Sequence, residues 1–227
     1  SDTPQQMINA ILSIEDRRFF EHPGIDFIGI TRAALKNLTG RSHEGASTIT
    51  MQVARNFFLT SERTFKRKIN EILLAIKIER TLSKEEILEL YINQIYLGQR
   101  SFGFAAAANT YYGKNLDQLN LGETALLAGL PKAPSRYNPF IRPHLSIKRQ
   151  QDVLNSMLRH GYIDKPTYII ALEDPLSLKD KFMKSELRAN YVAEMVRKTL
   201  FRYPTERYLN TIIRGYKDCK LDMKYLK

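Results

Sequence analysis

The chain has 227 residues, 43% of them hydrophobic and 26% charged, the balance of a globular protein long enough to bury a core and not of a disordered one. Lys and Arg number 35 against 24 Asp and Glu, a formal net charge of +11, so an anionic partner is expected: nucleic acid, an acidic membrane surface or a phosphate-bearing substrate. A single cysteine, Cys219, excludes an intrachain disulfide and a thiolate metal site, and His22, His43, His144 and His160 lack metal-ligand spacing. There is no run of about 18 apolar residues and no secretory signal. Both ends have the texture of a segment of a longer protein.

The pattern predicts a mainly α protein. Met7, Ile8, Ile11 and Leu12 recur at helical spacing and predict a first helix. Glu15 extends their stripe, so its carboxylate faces the interior or a cleft, where a general base would work. The alternative is a helix-end glutamate paired with Arg18. The segment 15–26 then packs acids, His22, aromatics and a Pro-Gly turn more densely than a helix end needs. Phe27, Ile28, Ile30 and Leu35 form either an interfacial apolar patch or core. Residues 45–52 are a small, hydroxyl-rich turn into a helix, with Ser47 as the expected cap and free N–H groups as an anion site.

Ser61 is the expected cap of the next helix, along which Phe65, Ile69, Ile72, Leu73 and Ile76 make an apolar stripe. Arg63, Arg67, Lys68 and Glu71 lie off that stripe. Three cations around one carboxylate suit a diphosphate, with the carboxylate able to hold a divalent cation; the plainer alternative is a solvated, salt-bridged face. Ser83 and Glu86 form a capping box that starts a helix through about Tyr96. Residues 104–111, 121–130, 145–160 and 165–172 read as further helices, and Pro131, Pro134 and Pro139 open a loop between two of them. Strand signals are weak; only 211–221 reads as extended. The texture changes near residue 180.

Taken in order, these segments resemble the peptidoglycan glycosyltransferases (murein polymerases, glycosyltransferase family 51) of class A penicillin-binding proteins and monofunctional transglycosylases. The family's E-D-x-x-F-x-x-H-x-G-x-D is matched by Glu15, Asp16, Phe19, His22, Gly24 and Asp26. Its G-[GA]-S-T-I-T-Q-Q-x-x-[KR]-N is matched by Gly45 to Thr50, Gln52, Arg55 and Asn56. Arg67, Lys68 and Glu71 match R-K-x-x-E. A fourth motif runs from Glu86 through Tyr91, Asn93 and Tyr96 to Gly98, and a fifth from Glu123 to Pro139. The match spans about residues 7–172. Met51 stands where the family usually has Gln, and Arg55 where Lys is common; the latter keeps the charge with a different geometry.

The resemblance implies a lysozyme-like, two-lobed helical fold over 1–180 and, over 181–227, the start of a short extended linker toward a missing transpeptidase domain. No Ser-x-x-Lys or Lys-Thr-Gly is present, so penicillin-reactive serine chemistry is not expected in this chain. It implies polymerisation of lipid II and the growing lipid-linked glycan into β-1,4-linked strands, inverting at the MurNAc anomeric carbon and releasing undecaprenyl diphosphate. Glu15 would be the base. Glu71, with Arg63, Lys68 and Arg55, would hold the diphosphate or its Mg²⁺ or Mn²⁺. Ser47, Thr48, Gln52 and Asn93 would contact substrate, with Asp16 and His22 as support groups beside them. It also implies work at the outer face of a bacterial cytoplasmic membrane, on the membrane surface, alongside cell-wall synthesis partners and without nucleic acid.

Two other readings use the same residues. A lysozyme-like muramidase would also need a glutamate acid or base, but has no diphosphate for the Arg63/Lys68/Glu71 group. A basic nucleic-acid or membrane module predicts clustered cations among stacking aromatics, whereas here the cations are dispersed, Trp is absent and Glu15 has no use.

Overall fold

The computed structural model describes residues 3–38, 47–58, 64–174 and 176–179. Among these, the chain is mainly α: α1 Gln5–Glu15, α2 Phe27–Leu38, α3 Ile49–Phe58, α4 Phe65–Thr81, α5 Lys84–Gln94, α6 Phe104–Tyr112, α7 Leu121–Gly129, α8 Pro143–Arg159 and α9 Lys165–Glu173. The bridge between Tyr96 and Phe102 is isolated. Ser61, Arg63 and the expected extended stretch 211–221 lie outside the described residues, as does the expected linker 181–227.

α7 is the centre. Its sequence is apolar on nearly every side, and every residue from Gly122 to Gly129 is buried; a helix of that kind must sit inside. α1 and α8 pack against it and against each other. α1 contributes Met7, Ala10 and Ile11. α8 turns polar groups inward too, and each meets a carbonyl. Ser156 Oγ donates to Ser13 (2.6 Å), Gln150 Nε2 to Gly122 (3.0 Å) and Arg149 Nε to Gly129 (3.0 Å). Buried donors matched in this way escape the cost of an unmade hydrogen bond and fix α8 in register on its two neighbours.

Local chemistry sets the helix ends. The Ser83/Glu86 capping box is formed and starts α5, as read from sequence. α4 starts later than Ser61 would have set it: Thr64 accepts the Arg67 N–H. At α3 the cap is Thr48, whose Oγ1 accepts the Met51 N–H at 3.1 Å, and Ser47 is released for another partner. α2 is a helix the apolar pattern of 27–35 did not announce.

The apolar stripe of α4 is largely exposed, with Ile72 and Ile76 half-buried. Phe65 is 94% exposed, Ile69 58% and Leu73 60%, while Glu71, Ala75 and Ile78 are buried. α3 packs against α4, and the helix spends its buried face on the carboxylate side. Of the group read as either a diphosphate site or a solvated, salt-bridged face, Glu71 is buried, Arg67 half-buried and the Lys68 side chain 42% exposed.

Candidate active site

α1 delivers Glu15 at its last residue. Glu15 Oε2 accepts from Gln52 Nε2 at 2.8 Å, and Oε1 faces Arg149 Nη2 at 3.5 Å, with the Glu15 side chain 10% and the Arg149 side chain 7% exposed. The pairing with Arg18 is not made; Arg18 turns to Glu21 (2.7 Å) and Asp26 (3.0 Å). Behind Gln52 stands Tyr91, its hydroxyl 3.5 Å from Gln52 Oε1. Burial, and then the charge of Glu15, hold the Tyr91 phenol well above its ordinary range, so it stays protonated and donates. That donor aims the carbonyl end of Gln52 at Tyr91 and its NH₂ at Glu15.

Asp16 and His22 do a different job. His22 Nε2 lies 2.9 and 3.0 Å from the two Asp16 oxygens, and His22 Nδ1 accepts the Gly24 N–H at 3.2 Å. The accepting Nδ1 carries no proton, so Nε2–H donates to Asp16. Asp16 Oδ2 also accepts the Ile49 N–H at 3.0 Å. The expected anion site at the start of α3 is therefore filled by the chain's own carboxylate. Gly24 completes the joint. Its φ is +92°, a Cβ would meet Glu79 Cγ at 2.9 Å, and its carbonyl accepts from Thr48 Oγ1 at 2.7 Å. Asp16, His22 and Thr48 are buried and clamp the turn after α1 to α3.

Glu71 is fully buried. Its Oε1 accepts from Lys68 Nζ at 2.7 Å, and its Oε2 lies 3.4 Å from Arg67 Nη1. Lys68 Nζ also donates to Ser47 Oγ at 3.0 Å. The start of α3 thus reaches both carboxylates: Gln52 touches Glu15, and Ser47, just ahead of the helix, touches the cation on Glu71. Arg55 lies half-buried in the last turn of α3, near enough for its charge to act on Tyr91. Asn93 is exposed near the end of α5, outside this hydrogen-bond network. Met51 is buried.

For a divalent cation the residues offer little by themselves. Both oxygens of Glu71 already face cations, and no group of three or more His, Cys, Asp or Glu suited to a metal occurs among the described residues. Hard divalent cations take six or more oxygens, so these side chains alone do not make a cage.

Arg149 and Tyr91 were not singled out as site residues in the sequence. Arg149 did carry a signal: it lies four residues before Val153 on the stripe that α8 buries, the same kind of intrusion of charge into an apolar stripe that marked Glu15.

Residues 1–158 match the family model described as Transglycosylase. The chain belongs to the transglycosylase family. Penicillin-binding protein 1A of Pseudomonas aeruginosa is 51% identical over 219 residues, 96% of this chain and 26% of that protein. Penicillin-binding protein 1A of Haemophilus influenzae is 51% identical over 218 residues, 96% of this chain and 25% of that protein. A crystal structure of penicillin-binding protein 1A from Haemophilus influenzae covers 91% of this chain and 21% of that one, at 33% identity and a TM-score of 0.49. The transglycosylase chain described here spans about a quarter of the length of these curated relatives.

Proposed function

We propose that this transglycosylase chain polymerises lipid II into the glycan strands of peptidoglycan. The observation that carries the reading is the pair of unlike carboxylates joined through the start of α3. Glu15 is held by one amide and one guanidinium at the edge of the core, and Glu71 is buried among cations. A displacement that inverts an α-linked donor needs a base at the acceptor and stabilised charge at the leaving group, with no covalent sugar intermediate.

Glu15 takes the proton of the acceptor GlcNAc 4-hydroxyl as the oxygen attacks the MurNAc anomeric carbon. The bond from that carbon to the diphosphate breaks, and undecaprenyl diphosphate leaves with the bonding electrons. Lys68 and Arg67 meet the negative charge that develops on it, their positions set by Glu71. Ser47 orients Lys68. A Mg²⁺ or Mn²⁺ would arrive on the diphosphate itself, with Glu71 as its one carboxylate candidate among these residues, and no step above depends on it. Gln52 acts on Glu15, and its part in substrate contact is secondary.

The reading includes a membrane surface. No helix among the described residues is long and apolar enough to cross a membrane. Phe27 and Ile28 on α2 and Phe65, Ile69 and Leu73 on α4 are more than half exposed, an outlay of apolar surface that suits a lipid interface and the net charge of +11. A substrate with a lipid tail would be met there. The further transpeptidase domain and cell-wall synthesis partners belong to the full-length protein by the same reading.

The test is polymerisation of labelled lipid II in detergent, comparing the parent with Glu15→Gln. Long glycan from the parent and none from the variant supports the proposal; equal product from both removes Glu15 as the base.

A further inference from the structure

Arg149 comes from α8, which contributes no other group to the network around Glu15, and it sits where an arginine is costly. Its side chain is 7% exposed, and burying a guanidinium is unfavourable unless every part of it is matched. Two of its groups are committed. Nε donates to the carbonyl of Gly129 at 3.0 Å, and Nη2 points at Glu15 Oε1 at 3.5 Å. The Tyr137 ring lies 5.8 Å from the guanidinium carbon, within the range of a cation–π contact. The approach is tight: a Cβ at Gly129 would meet Arg149 Cγ at 2.8 Å. Gly129 leaves room for the arginine stem to cross the end of α7, and its carbonyl fixes the guanidinium plane.

Glu15 is the last residue of α1, and its C-terminal neighbour Asp16 is already non-helical. A side chain at a helix end is held only by what it touches, and here that is Gln52 on one oxygen and Arg149 on the other. The two donors come from opposite sides of the chain, α3 and α8. We propose that Arg149 is a positioning residue for the base: anchored on the Gly129 carbonyl, it fixes the orientation of the Glu15 carboxylate. This rests on the reading of Glu15 as the base. Without the arginine, Gln52 alone leaves the carboxylate free to rotate. Small losses of alignment at a reacting atom cost heavily in rate and little in ground-state binding.

The experiment compares the parent with R149M, R149K and E15Q on labelled lipid II, with kcat and KM measured separately, and with binding of a fluorescent phosphoglycolipid that mimics the donor diphosphate. Thermal melts confirm that each variant is folded. R149M is expected to lose about 50-fold in kcat with KM and donor-mimic affinity within about twofold of the parent. R149K keeps the charge and is expected to recover about fivefold of that loss. Parent-like kcat in R149M overturns the proposal. So does a loss that falls on KM or on donor-mimic binding, or an R149K no better than R149M, since a merely structural arginine would give those results. If R149M does not fold, R149Q takes its place, because it keeps a side-chain N–H for Gly129, and the same outcomes decide. A parent that makes no glycan removes the polymerase reading and this role with it; an active parent with an equally active R149M removes only the role of Arg149.

Discussion

α1 and α4 are both amphipathic helices that carry a carboxylate of the site, and they face opposite ways. α1 turns its apolar stripe inward, burying Met7 and Ile11, and leaves Glu15 at the end of that stripe. α4 turns Phe65, Ile69 and Leu73 outward and buries Glu71. Periodicity establishes that a segment is a helix with two unlike faces. Which face is inside depends on what the outside is. For α1 the outside is water, and the apolar face goes in. For α4 the buried face carries Glu71, with Lys68 and Arg67 against it, and the apolar exterior suits the lipid interface proposed above.

Five substitutions separate the two helices. Glu15→Gln carries the largest effect, a loss of at least about 10³-fold in glycan formation with the fold intact, read by polymerisation beside a thermal melt. Ile11→Ala is expected to cost about 3 kcal/mol in chemical denaturation, because it opens a cavity under α1. Ile69→Ser on α4, at a position 58% exposed, stays within about 0.5 kcal/mol of the parent and instead lowers binding to anionic vesicles. Equal stability losses for the two would erase the contrast between the helices. Glu71→Gln is expected to destabilise by about 2 kcal/mol, a buried-pair penalty discounted because Lys68 is 42% exposed. Thr64→Ala costs about 1 kcal/mol, since α4 has a side-chain cap there and α1, entered from Pro4, has none.

Much of this was legible in the sequence, and the rest was hidden for physical reasons. Glu15 could be found because it continues a stripe of buried neighbours. The Ser83/Glu86 box could be found because both of its contacts are local. Helix starts with a choice of hydroxyls were misassigned: Ser47 was the expected cap of α3, but its neighbour Thr48 caps the helix while Ser47 is held by Lys68 from another helix. The same holds for the anion site at α3, which Asp16 fills from the chain before it. Arg149 and Tyr91 reach Glu15 and Gln52 through contacts between distant segments, and no local pattern records those. The outward face of α4 was not legible, because an apolar stripe marks a face without saying which way it turns.

The division of labour between the two carboxylates is the centre of the account, and donor binding tests it most directly. A fluorescent phosphoglycolipid donor mimic is titrated into the parent, E15Q and E71Q, and polymerisation is measured on the same samples. The account predicts that E15Q binds the mimic as the parent does while making no glycan, and that E71Q binds it at least about tenfold more weakly. Equal binding by E71Q and the parent, or a matching loss in both variants, would contradict the assignment of Glu15 to the proton and of Glu71 to the diphosphate.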